Sequence, residues 1–111
     1  MGKSEQFPER RAFKRIPANI PVKFFYGNSV YFGTVKDFSE NSMFVSTNRI
    51  LFPLHSKLEI FVPSIHHGAL KLSVKVARLA KTDGYYNGIG VQLLNETEEN
   101  LAEVFKSLSQ Q

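Results

Sequence analysis

Hydrophobic and polar positions alternate along most of this chain. Ile20, Val22 and Phe24 are interleaved with Pro21, Lys23 and Phe25, the two-residue period of a half-buried strand. Gly27-Asn28-Ser29 marks a hairpin turn, and a second strand rich in β-branched and aromatic residues is predicted from about Val30 to Val35. It ends in Asp37-Phe38-Ser39-Glu40-Asn41-Ser42, a polar turn of the kind whose side chains bond their own backbone. Met43-Phe44-Val45 predicts a short third strand, and residues 47–56, with Pro53, a longer connection. Leu58, Ile60 and Val62 alternate with Lys57, Glu59 and Phe61 in a fourth strand that Pro63 is expected to stop. His66-His67-Gly68 turns the chain. Leu70, Leu72, Val74 and Val76 then give the clearest alternation of all. Its phase slips near Ala77-Arg78-Leu79, the mark of a bulge or of a strand that changes neighbours. Thr82-Asp83-Gly84 with Asn87-Gly88 reads as a turn, and Ile89, Val91 and Leu93 predict a sixth strand.

The period then changes. Leu101, Val104, Phe105 and Leu108 recur at i, i+3, i+4 and i+7, which predicts an amphipathic helix over 95–108. Asn95 or Thr97 can cap it, Asn95 and Glu98 have the spacing of a capping box, and Glu96, Glu98 and Glu99 suit the positive end of the helix dipole. Six short strands and one helix predict an all-β fold: a small six-stranded antiparallel barrel with the C-terminal helix over one opening. Closure removes the exposed edges that a flat sheet must otherwise protect. Residues 1–8 are polar and aperiodic and are expected to be a flexible tail. The domain then divides into an arm (9–17), the barrel (18–94) and the helix (95–108).

Composition narrows the function. A chain of 111 residues holds one domain, and 42% hydrophobic with 22% charged residues describes a folded protein rather than a disordered one. With no cysteine, disulfides, thiolate chemistry and cysteine-ligated metals are excluded. No apolar run approaches the ~20 residues of a membrane span, and the N-terminus has no signal-peptide h-region, so the expected location is the cytoplasm. Catalysis finds no support. No Ser/His/Asp set carries a recognisable elbow, there is no phosphate-binding Gly-rich loop, and the ten carboxylates are scattered. His66-His67 point to opposite faces if extended and His55 lies far off, so no metal site and no cofactor is expected.

Charge is the informative feature. Of the chain's net +4, +3 falls in residues 1–15, where Arg10, Arg11, Lys14 and Arg15 crowd around Phe13. So concentrated a charge favours a small, compact anion over a long polymer, which makes nucleic acid an unlikely partner. Arginine presents a planar, always-charged fork that matches phosphate and the O6/N7 edge of guanine. The Asp37 carboxylate can accept from guanine N1–H and N2–H₂, and the Ser39 hydroxyl and neighbouring backbone N–H groups can hold a phosphate oxygen. Arg11-x-x-x-Arg15 together with Asp37-x-Ser39 describes a guanine-nucleotide site without catalytic machinery.

These two motifs, in this order and about twenty residues apart, resemble the signature of the PilZ domain, RxxxR in an N-terminal arm followed by [D/N]xSxxG at a small barrel. The resemblance extends through Val76-Ala77-Arg78-Leu79, Gly88-Ile89-Gly90-Val91-Gln92-Leu93 and the terminal helix. It implies a bacterial receptor for cyclic di-GMP in which Arg11, Arg15, Asp37 and Ser39 hold the ligand, with Arg10, Asn41 and Ser42 as further contacts. Acting alone, such a domain would need a downstream protein partner in motility or biofilm control. The chain departs from the pattern at Ser42, where the family has glycine, a residue that allows φ > 0 or a close ligand approach. Asn41 is the neighbour best able to take a left-handed conformation instead. The departure leaves an alternative: a PilZ-like interaction adaptor, motility or pilus related, that no longer binds nucleotide. A third reading, a single-strand nucleic-acid barrel stacking bases on Tyr26, Tyr31, Tyr85 and Tyr86, ranks last. Arg78 reads as a solvated strand charge.

Overall fold

The computed structural model describes residues 15–64, 68–94, 103 and 106–109. Six strands lie among them: β1 (Ile16–Tyr26), β2 (Ser29–Phe38), β3 (Ser42–Ser46), β4 (Lys57–Ser64), β5 (Gly68–Thr82) and β6 (Tyr85–Leu93). Every neighbouring pair is antiparallel. The order around the ring is β1-β2-β3-β6-β5-β4, and β4 returns to β1 to close the barrel. Residues 103 and 106–109 are helical, in agreement with the predicted C-terminal helix. The capping residues Asn95 and Thr97 lie outside the described residues.

The alternation read along the sequence is the alternation of inside and outside. Ile20, Val22 and Phe24 of β1, Leu58, Ile60 and Val62 of β4, and Leu72, Val74 and Val76 of β5 all point into one core. Each such side chain contributes about 1.5–3 kcal/mol on burial, so the apolar rows drive closure. Phe52, from the connection between β3 and β4, closes one end. Its ring packs edge-on against Phe24, Tyr26 and Tyr31 at centroid distances of 5.4, 5.6 and 5.1 Å. Tyr26 and Tyr31 therefore belong to the core margin and are not stacking platforms. At the other end, Leu108 of the helix is buried beside Ile20 and Phe38.

Three local expectations are corrected. β4 does not stop at Pro63 but continues to Ser64, with Pro63 opposite Ala69 of β5. Pairing of β4 with β1 has ended by then, at Phe61, so the proline sits where the strand has one neighbour, the edge situation that tolerates it. Asn87-Gly88 is not part of the turn before β6 but lies within the strand. The turn is Asp83-Gly84 alone, with φ of 53° and 84°, bracketed by the pair Thr82 and Tyr85. Finally, β2 runs on to Phe38, so Asp37 is a strand residue and the turn proper is 39–41. His66 and His67 lie outside the described residues.

Candidate functional site

Asp37 is placed by two irregularities in the ladder. β1 and β2 shift register between Pro17 and Ile20, and β2 and β3 shift between Val35 and Asp37. Bulges re-aim side chains, and here both flank the same residue. Arg15, one residue before β1, lies within reach because Ile16 and Pro17 pair with Phe38 and Asp37. Its Nε and Nη2 both donate to Asp37 Oδ1, at 2.8 and 2.6 Å. Its Nη1 donates to Ser42 Oγ at 2.7 Å. Three of the five guanidinium N–H groups are thereby engaged, leaving one on each terminal nitrogen. The second carboxylate oxygen of Asp37 has no partner among the described residues.

The turn beneath is held by its serines. The Ser39 backbone N–H donates to the Ser42 carbonyl at 2.8 Å. Ser39 Oγ lies 2.9 Å from Ser42 Oγ and donates weakly to Asn41 Oδ1 at 3.4 Å. Ser39 is only 4% exposed, so its hydroxyl braces the turn from inside. Neither Asn41 nor Ser42 has a positive φ; Ser42 is the first residue of β3. The backbone here makes no demand for glycine, and whatever Ser42 alters, it alters through its hydroxymethyl group.

Beside the turn a cleft of about 500 Å³ opens between β3, β5 and β6, lined by Arg15, Asn41, Ser42, Arg78, Gly90 and Gln92 among others. That volume is in the range of small-molecule sites. No carboxylate lines it among the described residues. Arg78 comes from β5, where the register shifts between Val76 and Arg78. Strict alternation would turn Arg78 inward after the outward Ala77; the bulge leaves both exposed. Its guanidinium carbon then sits 5.3 Å from the centroid of the Phe44 ring. A Cβ on Gly90 would lie 3.3 Å from Arg78 Cβ, and one on Gly88 would run into the Phe44 ring. The two glycines thus leave the room that the Phe44 ring and the Arg78 side chain occupy.

Of the residues predicted from sequence, Arg15, Asp37, Ser39, Asn41 and Ser42 are gathered around this cleft and its rim. Arg10 and Arg11 lie outside the described residues. Arg78, read from the sequence as a solvated strand charge, is exposed and lines this cleft, at the place where the phase slips near Ala77. No group of three or more His, Asp or Glu side chains able to hold a metal exists among the described residues.

The family model described as the PilZ domain matches residues 9–110. The chain belongs to the PilZ domain family. Solved PilZ structures share its fold. It superposes with a TM-score of 0.71 on the PilZ domain of YcgR from Escherichia coli, a structure with cyclic di-GMP, at 16% identity over 91% of this chain and 92% of that one. The inhibitor of motility MotI/DgrA of Bacillus subtilis gives 0.69 at 14% identity, over 91% of this chain and 50% of that one. The PilZ domain of CeSA from a cellulose-synthesizing bacterium gives 0.66 at 18% identity, over 87% and 96%. A search of curated proteins finds no match. No helix among the described residues of this PilZ domain is long and apolar enough to cross a membrane.

Proposed function

We propose that this PilZ domain is a cyclic di-GMP receptor that acts through a downstream protein and catalyses nothing itself. The observation that carries this reading is the pairing of two guanidinium groups, Arg15 and Arg78, across one cleft with no carboxylate among its described lining residues, next to the Asp37–Ser42 turn. Such a cleft suits a compact dianion with planar bases. Arg15, Arg11 and, with them, Arg10 supply cations for phosphate and for the acceptor edge of guanine. The free oxygen of Asp37 supplies an acceptor for its donor edge. Ser39, buried, keeps the turn in shape, while Asn41 and Ser42 face the ligand. Arg78, spread on Phe44, offers a flat cationic surface on which a base can stack.

The pair between Arg15 and Asp37 is exposed, 46% and 36% for the two side chains. Pairs of this kind contribute about 0–1 kcal/mol, so a ligand exchanges partners with it at little cost. In this mechanism the arm closes over the bound nucleotide and changes the surface offered to a partner, an order–disorder switch. The YcgR domain of the same fold, seen with cyclic di-GMP, supports the assignment. Calorimetric titration with cyclic di-GMP, with GTP as control, tests it. Saturable low-micromolar binding of cyclic di-GMP alone is the expected result, and silence at high concentration overturns it.

The second reading, an adaptor that no longer binds nucleotide, draws on one observation. The Ser42 hydroxyl reaches into the cleft and occupies an N–H of Arg15. Calorimetric silence, with the fold intact, assigns the chain to that class.

A further inference from the structure

On the outer surface of β2, β1, β4 and β5, the register aligns Phe32, Lys23, Phe61 and Lys71 in one row across four strands. The next row holds Val30, Phe25 and Glu59. Phe32 is 70% exposed and Val30 45%. A groove of about 410 Å³ runs past Phe32, bordered by Pro21, Phe61, Pro63 and Ala69. Alternation along a strand requires polar side chains on the solvent face, and here the solvent face is aromatic. A contiguous apolar patch of this sort marks an interaction site.

We infer that this face is a docking surface for a protein segment that sets carboxylates around an apolar anchor. Charge selects the partner. Lys23 stands in the middle of the row, with Lys71 at its end and Lys57 and Lys75 paired alongside. Glu59 is the sole carboxylate in these rows, and it lies 3.9 Å from Lys71. A second copy of this chain would set lysine against lysine, the like-charge juxtaposition that interfaces avoid. A single-stranded nucleic acid would need open ring faces for stacking. Instead Phe25 and Phe61 meet edge to face at 5.5 Å, and the Lys23 ammonium covers both rings, at 5.9 and 6.0 Å. What stays open is the Phe32 ring, the groove beside it and the lysine head groups. An apolar side chain fills the groove against Phe32 while flanking carboxylates reach Lys23 and Lys71. The surface is separate from the arginine cleft, and its use does not depend on nucleotide.

The test titrates the isotope-labelled full chain with a short peptide alternating Glu with Phe and Leu, and with its Lys-for-Glu counterpart, following backbone amide shifts. Shifts at Lys23, Phe32, Phe61 and Lys71 with the acidic peptide, and none with the basic one, are expected. F32A and K23E should each weaken acidic-peptide binding about tenfold or more, the loss of one interface hot spot. Both side chains are exposed, so unchanged thermal melts are expected to accompany the loss. Equal affinity in both variants overturns the inference. So does preferential binding of oligo(dT) at these residues, or a dimer of the free chain that F32A dissolves.

Discussion

Arg15 and Ser42 are joined by a 2.7 Å hydrogen bond from Nη1 to Oγ, a contact that a glycine at position 42 cannot make. The bond ties up one donor that a phosphate or a guanine edge would otherwise use. Ser42→Gly frees it and removes the hydroxymethyl from the cleft. Tightening of cyclic di-GMP binding by about 0.5–1.5 kcal/mol, the net value of one hydrogen bond, is the expected result in calorimetry. Since Ser42 sits in β3 without positive φ, glycine brings no backbone relief, and the variant should lose about 0.5–1 kcal/mol of stability. An unchanged dissociation constant shows that the side chain is innocent.

Arg11→Ala and Arg15→Ala should each weaken binding by at least ~1–3 kcal/mol, the scale of one bidentate contact. Arg15→Lys is expected to recover little, because an ammonium cannot span Asp37 and Ser42 as the fork does. Two alanine variants that titrate like the parent remove the arm from the site.

Arg78 separates the cleft seen here from the two sequence motifs alone. Arg78→Ala should cost about 1–2 kcal/mol of cyclic di-GMP affinity if its guanidinium is a stacking surface. An exposed side chain of this kind changes folding stability by no more than about 0.5 kcal/mol. A urea titration run beside the calorimetry distinguishes a ligand contact from a packing role.

Gly88→Ala should destabilise the barrel by about 1–3 kcal/mol, since the added methyl meets the Phe44 ring and must displace it. With Phe44→Ala in the same chain most of that penalty should vanish, a coupling readable in a double-mutant cycle by urea denaturation. Additive losses would mean that the glycine is needed for some other reason.

Much of this fold is legible in the chain because burial imposes a two-residue period, and Ile20, Val22 and Phe24 keep it without interruption. The bulge at Ala77 was legible as a slip of phase. That it sets Arg78 beside Phe44 was not, because that contact depends on which partner residues β6 and β3 supply. Asn87-Gly88 misled for a related reason. A glycine spared a side chain to make room for Phe44, which stands on the adjacent strand but far off in sequence, looks locally like a glycine in a turn. Pro63 looked like a stop because its tolerance depends on where β1 ceases to pair. For the site, the two motifs named Arg15, Asp37, Ser39 and Ser42, and hydrogen bonds join these side chains in the structure. The inward brace made by Ser39 and the tether between Arg15 and Ser42 are tertiary distances that no spacing encodes.

The return of β4 to β1 has a consequence for how signals can leave this domain. Each strand is flanked on both sides over part of its length, so the middle of the ring offers no open ladder, and a partner can add a strand of its own only at ends with one neighbour, such as β4 beyond Phe61. Recognition has to be written in outward side chains and in the ends of the barrel. A frame of this kind can change its allegiance by replacing a lysine or a phenylalanine on its outer wall, while the hydrogen-bonded ring behind it stays as it was.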